Sequence, residues 1–133
     1  MLRNVWLQKV LLVVVISSTF FCCRHDIPEP PCASEKEIVS FSNDILPMFR
    51  EHCSTAGCHS GINPEGNLNL TDSVAYAQLM DPQSGYIDTL NPKMSFLYIQ
   101  MNSTAQPMPP TGRLDDCKVN TVLKWIEQKA QEN

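Results

Sequence analysis

Residues 53–59 read CSTAGCH, and the residues before and after this short stretch have different patterns. Two cysteines, Cys53 and Cys58, have four residues between them, and His59 directly follows the second. Apolar residues recur at helical spacing before the stretch, whereas the residues after it, up to position 70, are rich in Gly, Ser, Asn and Pro. The sequence therefore predicts a helix that delivers two thiols and an imidazole into a long loop.

The order of these three side chains is the one required for covalent attachment of haem c. Two thiols can add to the two vinyl groups on one edge of the porphyrin, and a histidine beside the second thiol is placed to bind the iron. The usual spacing has two residues between the cysteines, so this one is a less common variant, and Gly57 gives the longer loop room to bulge. Two alternatives stay open on the motif alone: a disulfide between Cys53 and Cys58, and a zinc site completed by a fourth ligand.

A second candidate ligand lies about fifty residues downstream, in an irregular stretch at 106–112. Met108 is followed by Pro109 and Pro110, which exclude regular hydrogen bonding and stiffen the loop. A thioether opposite a histidine favours ferrous iron, which suits an electron carrier. The alternative role of Met108 is to fill a gap in the core. Three other methionines are weaker candidates, because each lies in a predicted helix where core packing is the expected role: Met80, Met94 and Met101.

Four segments show helical periodicity, and no segment of useful length alternates as a strand does. They are predicted at about 42–53, 71–80, 92–101 and 114–129. Ser42 is the predicted N-cap of the first, and Pro47 indicates a bend or a later start, because its ring removes a backbone hydrogen bond beyond the first turn. Asp115 and Asp116 suit the beginning of the last segment. The predicted fold class is all-α, with short helices and long loops.

The N-terminal residues, 1–22, have the pattern of a signal peptide of the lipoprotein type. Arg3 and Lys9 flank an apolar run that is too short to span a bilayer stably. Cleavage requires a small residue before the lipidated cysteine, so Cys23 is favoured over Cys22, which follows a bulky phenylalanine. A plain secretory signal with incidental cysteines is the alternative, and export is expected in both cases.

The predicted mature chain begins with a lipidated tether at 23–37, in which prolines disfavour a helix, and continues as one domain at 38–133. The expected location is the periplasm or the outer membrane, with attachment through the lipid. Removing Arg3 and Lys9 leaves 8 basic residues against 14 acidic ones, a net charge of −6. No basic cluster remains to neutralise phosphates, so nucleic acid is excluded as a partner and a positively charged protein is favoured.

Several stretches together resemble small bacterial cytochrome c-like domains. They are 39–49 (VSFSNDILPMF), 53–61 (CSTAGCHSG), 67–70 (NLNL), 95–98 (SFLY), 108–110 (MPP) and 122–126 (VLKWI). The resemblance covers about 38–130, nearly the whole mature chain. It implies one haem attached through Cys53 and Cys58, axial ligation by His59 and Met108, and N- and C-terminal helices that pack together. The wider cysteine spacing is the departure from the family pattern.

The resemblance also bears on the two remaining cysteines. Cys32 lies before the first predicted helix and Cys117 at the start of the last, the two helices that pack together in the family. A disulfide between them is therefore expected, and two unpaired thiols are the alternative.

The predicted function is electron transfer by a covalently bound haem c in an exported, membrane-anchored domain that serves an unidentified redox partner. No arrangement of side chains typical of a catalytic site is present in the sequence, so the chain is expected to be an electron carrier rather than an enzyme. His52 is expected to be a surface or packing residue. The alternative function is a haem-free, disulfide-stapled surface or interaction module on the same scaffold.

Overall fold

The computed structural model describes residues 31–133. The predicted signal peptide at 1–22, the lipidation of Cys23 or Cys22 and the first part of the tether lie outside the described residues. Within 31–133, no helix is long and apolar enough to cross a membrane.

Four α-helices form the frame of this part of the chain. They are α1 (Leu46–His52), α2 (Ala75–Leu79), α3 (Phe96–Asn102) and α4 (Asp116–Glu127). Residues 31–133 contain no strand, and long loops with short 3-10 turns connect the helices. The all-α prediction is confirmed at this level, with every helix inside a segment predicted to be helical or within one residue of it.

The first predicted helix is divided into two parts. A π-helical turn, Phe41–Ile45, leads into α1, and its N-cap is Ser40, not Ser42 as predicted. The Ser40 hydroxyl accepts a hydrogen bond from the Asn43 backbone N–H at 3.2 Å. Pro47 consequently falls in the first turn of α1, where a missing N–H costs nothing. The bend or later start that this proline indicated takes the form of a change from π-helical to α-helical geometry at Leu46, although the helical segment itself begins at Phe41.

The third predicted helix is also interrupted. A 3-10 turn, Pro92–Met94, precedes α3, and between them Ser95 is extended, with φ −56° and ψ 127°. The fully buried Ser95 hydroxyl accepts a hydrogen bond from the Asp88 backbone N–H at 2.9 Å. Ser95 thereby ties the preceding loop to the start of α3, which helical periodicity alone does not reveal.

The hydrophobic core lies between α4 and the turn that leads into α1. Trp125 is fully buried, and its ring lies 5.3 Å from that of Phe41, measured between centroids. Phe41 also meets Tyr76 edge to face at 5.2 Å. Ile45 and Phe49 are fully buried as well. The predicted packing of the N- and C-terminal helical segments is thus present through the π-helical turn. The 53–59 loop directly follows α1, whose Phe49 is anchored in this core.

Residues 32–39, which we call the N-terminal strap, run alongside α4. The sulfur atoms of Cys32 and Cys117 are bonded at 1.99 Å, with the Cα atoms 5.6 Å apart. Further along, the Lys124 ammonium donates to the Ser34 carbonyl at 3.0 Å. At the far end, the Gln128 side chain accepts from the Val39 N–H at 3.0 Å. Most residues of the strap were assigned to the tether from sequence, yet they belong to the folded unit, which begins at residue 31.

Candidate functional site

A cavity of about 550 Å³ opens beside the 53–59 loop. This volume is within the range of roughly 300–1,000 Å³ that is typical of ligand and cofactor sites. Its walls come from the end of α1, the loop after it, α3 and the loop that contains Met108. The lining residues are His52, Cys53, Gly57, Cys58, His59, Glu65, Gly66, Leu68, Leu70, Tyr86, Phe96, Leu97, Gln100, Met101, Met108, Pro109 and Pro110.

The backbone of the 53–59 loop folds back on itself. Cys53 ends α1, and its N–H donates to the Phe49 carbonyl at 2.9 Å. The Cys58 N–H donates to the Thr55 carbonyl at 3.0 Å, and the His59 N–H returns to the Cys53 carbonyl at 3.0 Å. The four intervening residues are therefore absorbed in a closed turn, and all three predicted site residues reach the cavity wall.

Gly57 allows this turn to close. Its φ of +80° lies in the left-handed region that side chains with a Cβ rarely adopt. Its position directly before Cys58 agrees with the role expected for a glycine in the widened motif.

The His59 imidazole is oriented by two backbone carbonyls. Its Nδ1 lies 3.1 Å from the Glu65 oxygen and 3.2 Å from the Leu68 oxygen. Because a carbonyl oxygen only accepts hydrogen bonds, Nδ1 must carry the proton and donate it. The lone pair then resides on Nε2, the atom free to bind a metal. Metal-binding histidines usually donate their other ring N–H to a carbonyl or carboxylate in this way, which fixes the orientation of the ring.

The loop that holds these carbonyls is itself fixed to the motif. The Glu65 N–H donates to the Cys58 carbonyl at 2.9 Å, and the Leu70 N–H donates to the His59 carbonyl at 2.8 Å. The stretch at 65–70 thus works as a clamp on the imidazole. Residues 67–70 belong to the family resemblance described above, but the resemblance implied no role for them.

Both cysteines of the motif are free thiols. The disulfide left open as an alternative is not formed between them in this structure. Burial, and then the nearby Cys58, raise the pKa of the Cys53 thiol to about 11. At neutral pH, Cys53 is therefore a protonated thiol on an apolar wall.

In the haem-free chain, we expect iodoacetamide to modify Cys53 roughly tenfold more slowly than an ordinary exposed thiol at pH 8. A pKa of about 11 leaves little thiolate, although the thiolate that forms is more nucleophilic. The rate should increase as the pH approaches 11. Peptide mapping by mass spectrometry after timed alkylation measures it site by site, with the same peptide from urea-unfolded chain as the control. If neither Cys53 nor Cys58 reacts until a reductant is added, the two are paired and the assignment of free thiols is wrong.

Met108 lines the cavity together with the prolines that follow it. Its N–H donates to the Gln100 carbonyl at 3.1 Å, which ties this loop to α3. Of the other methionines considered, Met101 also lines the cavity and is only 2% exposed. Met80 and Met94 are not among the lining residues. The structure therefore leaves two thioethers, Met108 in a loop and Met101 in the core, as candidates for ligating a metal in the cavity.

His52 is a residue whose position the sequence did not predict. It lines the cavity beside Cys53, and its Nε2 is buried without a hydrogen-bond partner among the described residues. A Glu51 carboxylate oxygen lies 3.7 Å from this atom, too far for a hydrogen bond. Its position directly before Cys53 was the only signal in the sequence. The expectation of a surface or packing residue describes it incompletely.

The zinc alternative finds no support in the described residues. Among residues 31–133, no group of three or more His, Cys, Asp or Glu side chains is arranged to hold a metal ion. The residues around the cavity fit a haem better. Two imidazoles, two thioethers and two thiols are within the lining. The walls also include Leu68, Leu70 and Leu97.

Comparison with known proteins returned no matching family model, curated protein or solved structure. The interpretation of the cavity therefore depends on its residues and their geometry.

Proposed function

We propose that this chain is an electron carrier of the cytochrome c type, with one haem c covalently bound in the cavity beside residues 53–59. The observation that carries the proposal is the His59 ring, whose Nδ1 is engaged by the Glu65 and Leu68 carbonyls so that Nε2 is free to ligate. This ring and the two free thiols line the same largely apolar cavity. When bound, haem c supplies an iron that changes between ferric and ferrous states.

The chain's own residues would each have a defined part. Cys53 and Cys58 would hold the haem by adding their S–H groups across its two vinyl groups, and His59 and Met108 would bind its iron. The buried state of Cys53 keeps its sulfur protonated until reaction, with its pKa raised to about 11. The apolar walls would exclude water and so favour the less charged, ferrous state.

The proposal includes export and attachment to a membrane. It is supported by the signal-like pattern at 1–22 and by the cysteines at 22 and 23. In this view the mature domain is anchored through Cys23 in the periplasm or at the outer membrane. It would exchange electrons with a redox protein there and would not itself be an enzyme.

Expression of the full chain with a cytochrome c maturation system should yield a coloured protein whose haem resists acid–acetone extraction. The mass should include one haem, because thioether bonds survive unfolding. The matched control is Cys53→Ser with Cys58→Ser, which keeps size and fold but removes both attachment points, and it should release its colour into the solvent. Colourless or fully extractable wild-type protein from a host proven competent for maturation would contradict the proposal.

A second candidate function is the haem-free, disulfide-stapled interaction module. The Cys32–Cys117 disulfide is the observation that favours it, since this crosslink stabilises the fold with or without a cofactor. The same mass measurement separates the two. A mature mass without haem and two hydrogens lighter per disulfide would support the module.

A further inference from the structure

Large exposed hydrophobic side chains are concentrated in one segment of the described chain. Within residues 31–133 there are six of them, and four lie between positions 90 and 99. Leu90 is 84% exposed, Met94 68%, Phe96 50% and Ile99 42%. We call these four residues the α3 patch, because two of them lie on α3 and the others directly precede it. Clustered exposed apolar side chains mark interaction surfaces, whereas scattered ones do not.

The α3 patch is continuous with the candidate haem cavity. Phe96 belongs to both, since it is half exposed and also lines the cavity. Its ring lies 6.2 Å from that of Tyr86, another lining residue, measured between centroids. A molecule seated on the patch would therefore touch a side chain that forms part of the cavity wall.

The charges near the patch limit what can bind there. Asp88 accepts hydrogen bonds from the Leu90 and Asn91 N–H groups, both at 2.9 Å, and Lys93 lies within the segment. The Lys129 ammonium also lies beside the segment and donates to the Thr89 carbonyl at 2.9 Å, so two ammonium groups face one carboxylate there. The patch itself therefore carries no net negative charge, and apolar contact is the favourable interaction at short range. At longer range, the net charge of −6 on the predicted mature chain determines which partners are attracted. It disfavours a second copy of the chain and an anionic lipid surface, and it attracts a positively charged protein.

We infer that the α3 patch is the docking surface for the electron-transfer partner, a redox protein with an apolar docking face and a net positive charge. This inference rests on the proposed function and adds to it the surface and the class of partner. The apolar contact would hold the partner against Phe96, while the opposite net charges would accelerate the encounter.

The test uses haem-loaded full-length chain and two acceptor probes, a basic and an acidic blue-copper protein, whose copper band is separate from the haem bands. Stopped-flow spectroscopy gives the second-order rate constant for electron transfer from the reduced haem. The patch variant is Met94→Ser with Ile99→Ser, neither of which lines the cavity. The control is Ile38→Ser, which is 65% exposed and outside the patch.

With the basic acceptor, the patch variant should react about tenfold more slowly than wild type, and the control variant at the wild-type rate. The wild-type rate should decrease as ionic strength increases, and the acidic acceptor should react more slowly throughout. Equal rates for all three proteins, each with its full haem spectrum, would overturn the docking surface and leave the haem assignment intact. Wild-type rates for the patch variant, together with loss of its binding to vesicles of phosphatidylcholine and phosphatidylglycerol, would assign the patch to a bilayer instead. Absence of bound haem would overturn both the proposed function and this inference.

Discussion

Replacing Cys32 and Cys117 together by alanine should lower the free energy of unfolding by about 4 kcal/mol. The disulfide joins residues 85 positions apart, and closing so long a loop removes much of the conformational entropy of the unfolded chain. Neither cysteine lines the cavity, so the spectrum of the haem that we propose should be unchanged at low denaturant. Urea denaturation followed by circular dichroism, with midpoint and slope fitted separately, measures the loss.

The wild-type protein treated with a thiol reductant is the matched control for this variant. A reductant opens the disulfide but leaves thioether bonds to haem intact, so reduced wild type should unfold at nearly the same urea concentration as the double variant. A free energy of unfolding within about 0.5 kcal/mol of oxidised wild type would show that the crosslink contributes little. In that case the hydrogen bonds of the N-terminal strap would account for its attachment.

If the chain binds haem as proposed, substituting Met108 by leucine should remove one ligand of the iron while leaving covalent attachment unchanged. Leucine has nearly the volume of methionine but no sulfur, so the loop is expected to keep its packing. The reduction potential should fall by a sizeable part of the range of about 0.8 V over which axial ligands set haem potentials. The absorption spectrum should change from a six-coordinate to a five-coordinate form. Potentiometric titration and visible spectroscopy of the purified variant measure the two effects.

Two further leucine variants make this result specific. Met94→Leu changes an exposed residue outside the cavity and should behave as wild type. Met101→Leu changes the other lining thioether and should preserve both spectrum and potential. If Met101→Leu loses the ligand while Met108→Leu keeps it, the axial role belongs to the helix and not to the loop.

Much of the fold was accessible from sequence because the helices follow apolar periodicity. The ends of the helices were harder to predict, because side chains outside the periodic pattern determine where each helix begins and ends. Ser40, not Ser42, caps the first segment, and Ser95 divides the third by accepting a hydrogen bond from Asp88. Such contacts depend on where a loop returns, which a linear pattern does not contain.

The candidate site also contains residues that the sequence predicted and residues that it did not. Short local motifs identified four of the candidate residues from sequence, and the structure places all four in the lining of one cavity: Cys53, Cys58, His59 and Met108. Other wall residues were missed because Tyr86 and Gln100 come from distant positions that no quoted motif includes. Phe96 lies in the 95–98 stretch of the resemblance, but that stretch implied no role for it. The carbonyls that orient His59 could not be found from side-chain identity, because every residue carries one.

The position of the disulfide has a mechanical consequence when the chain is pulled at its two ends. Tension that arrives along the chain at Cys32 passes through a covalent bond to Cys117, at the beginning of the last helix. Every cavity-lining residue lies between these two cysteines in sequence, inside the closed loop. Tension between the two ends would therefore bypass that loop, and the cavity would keep its geometry while the chain is pulled.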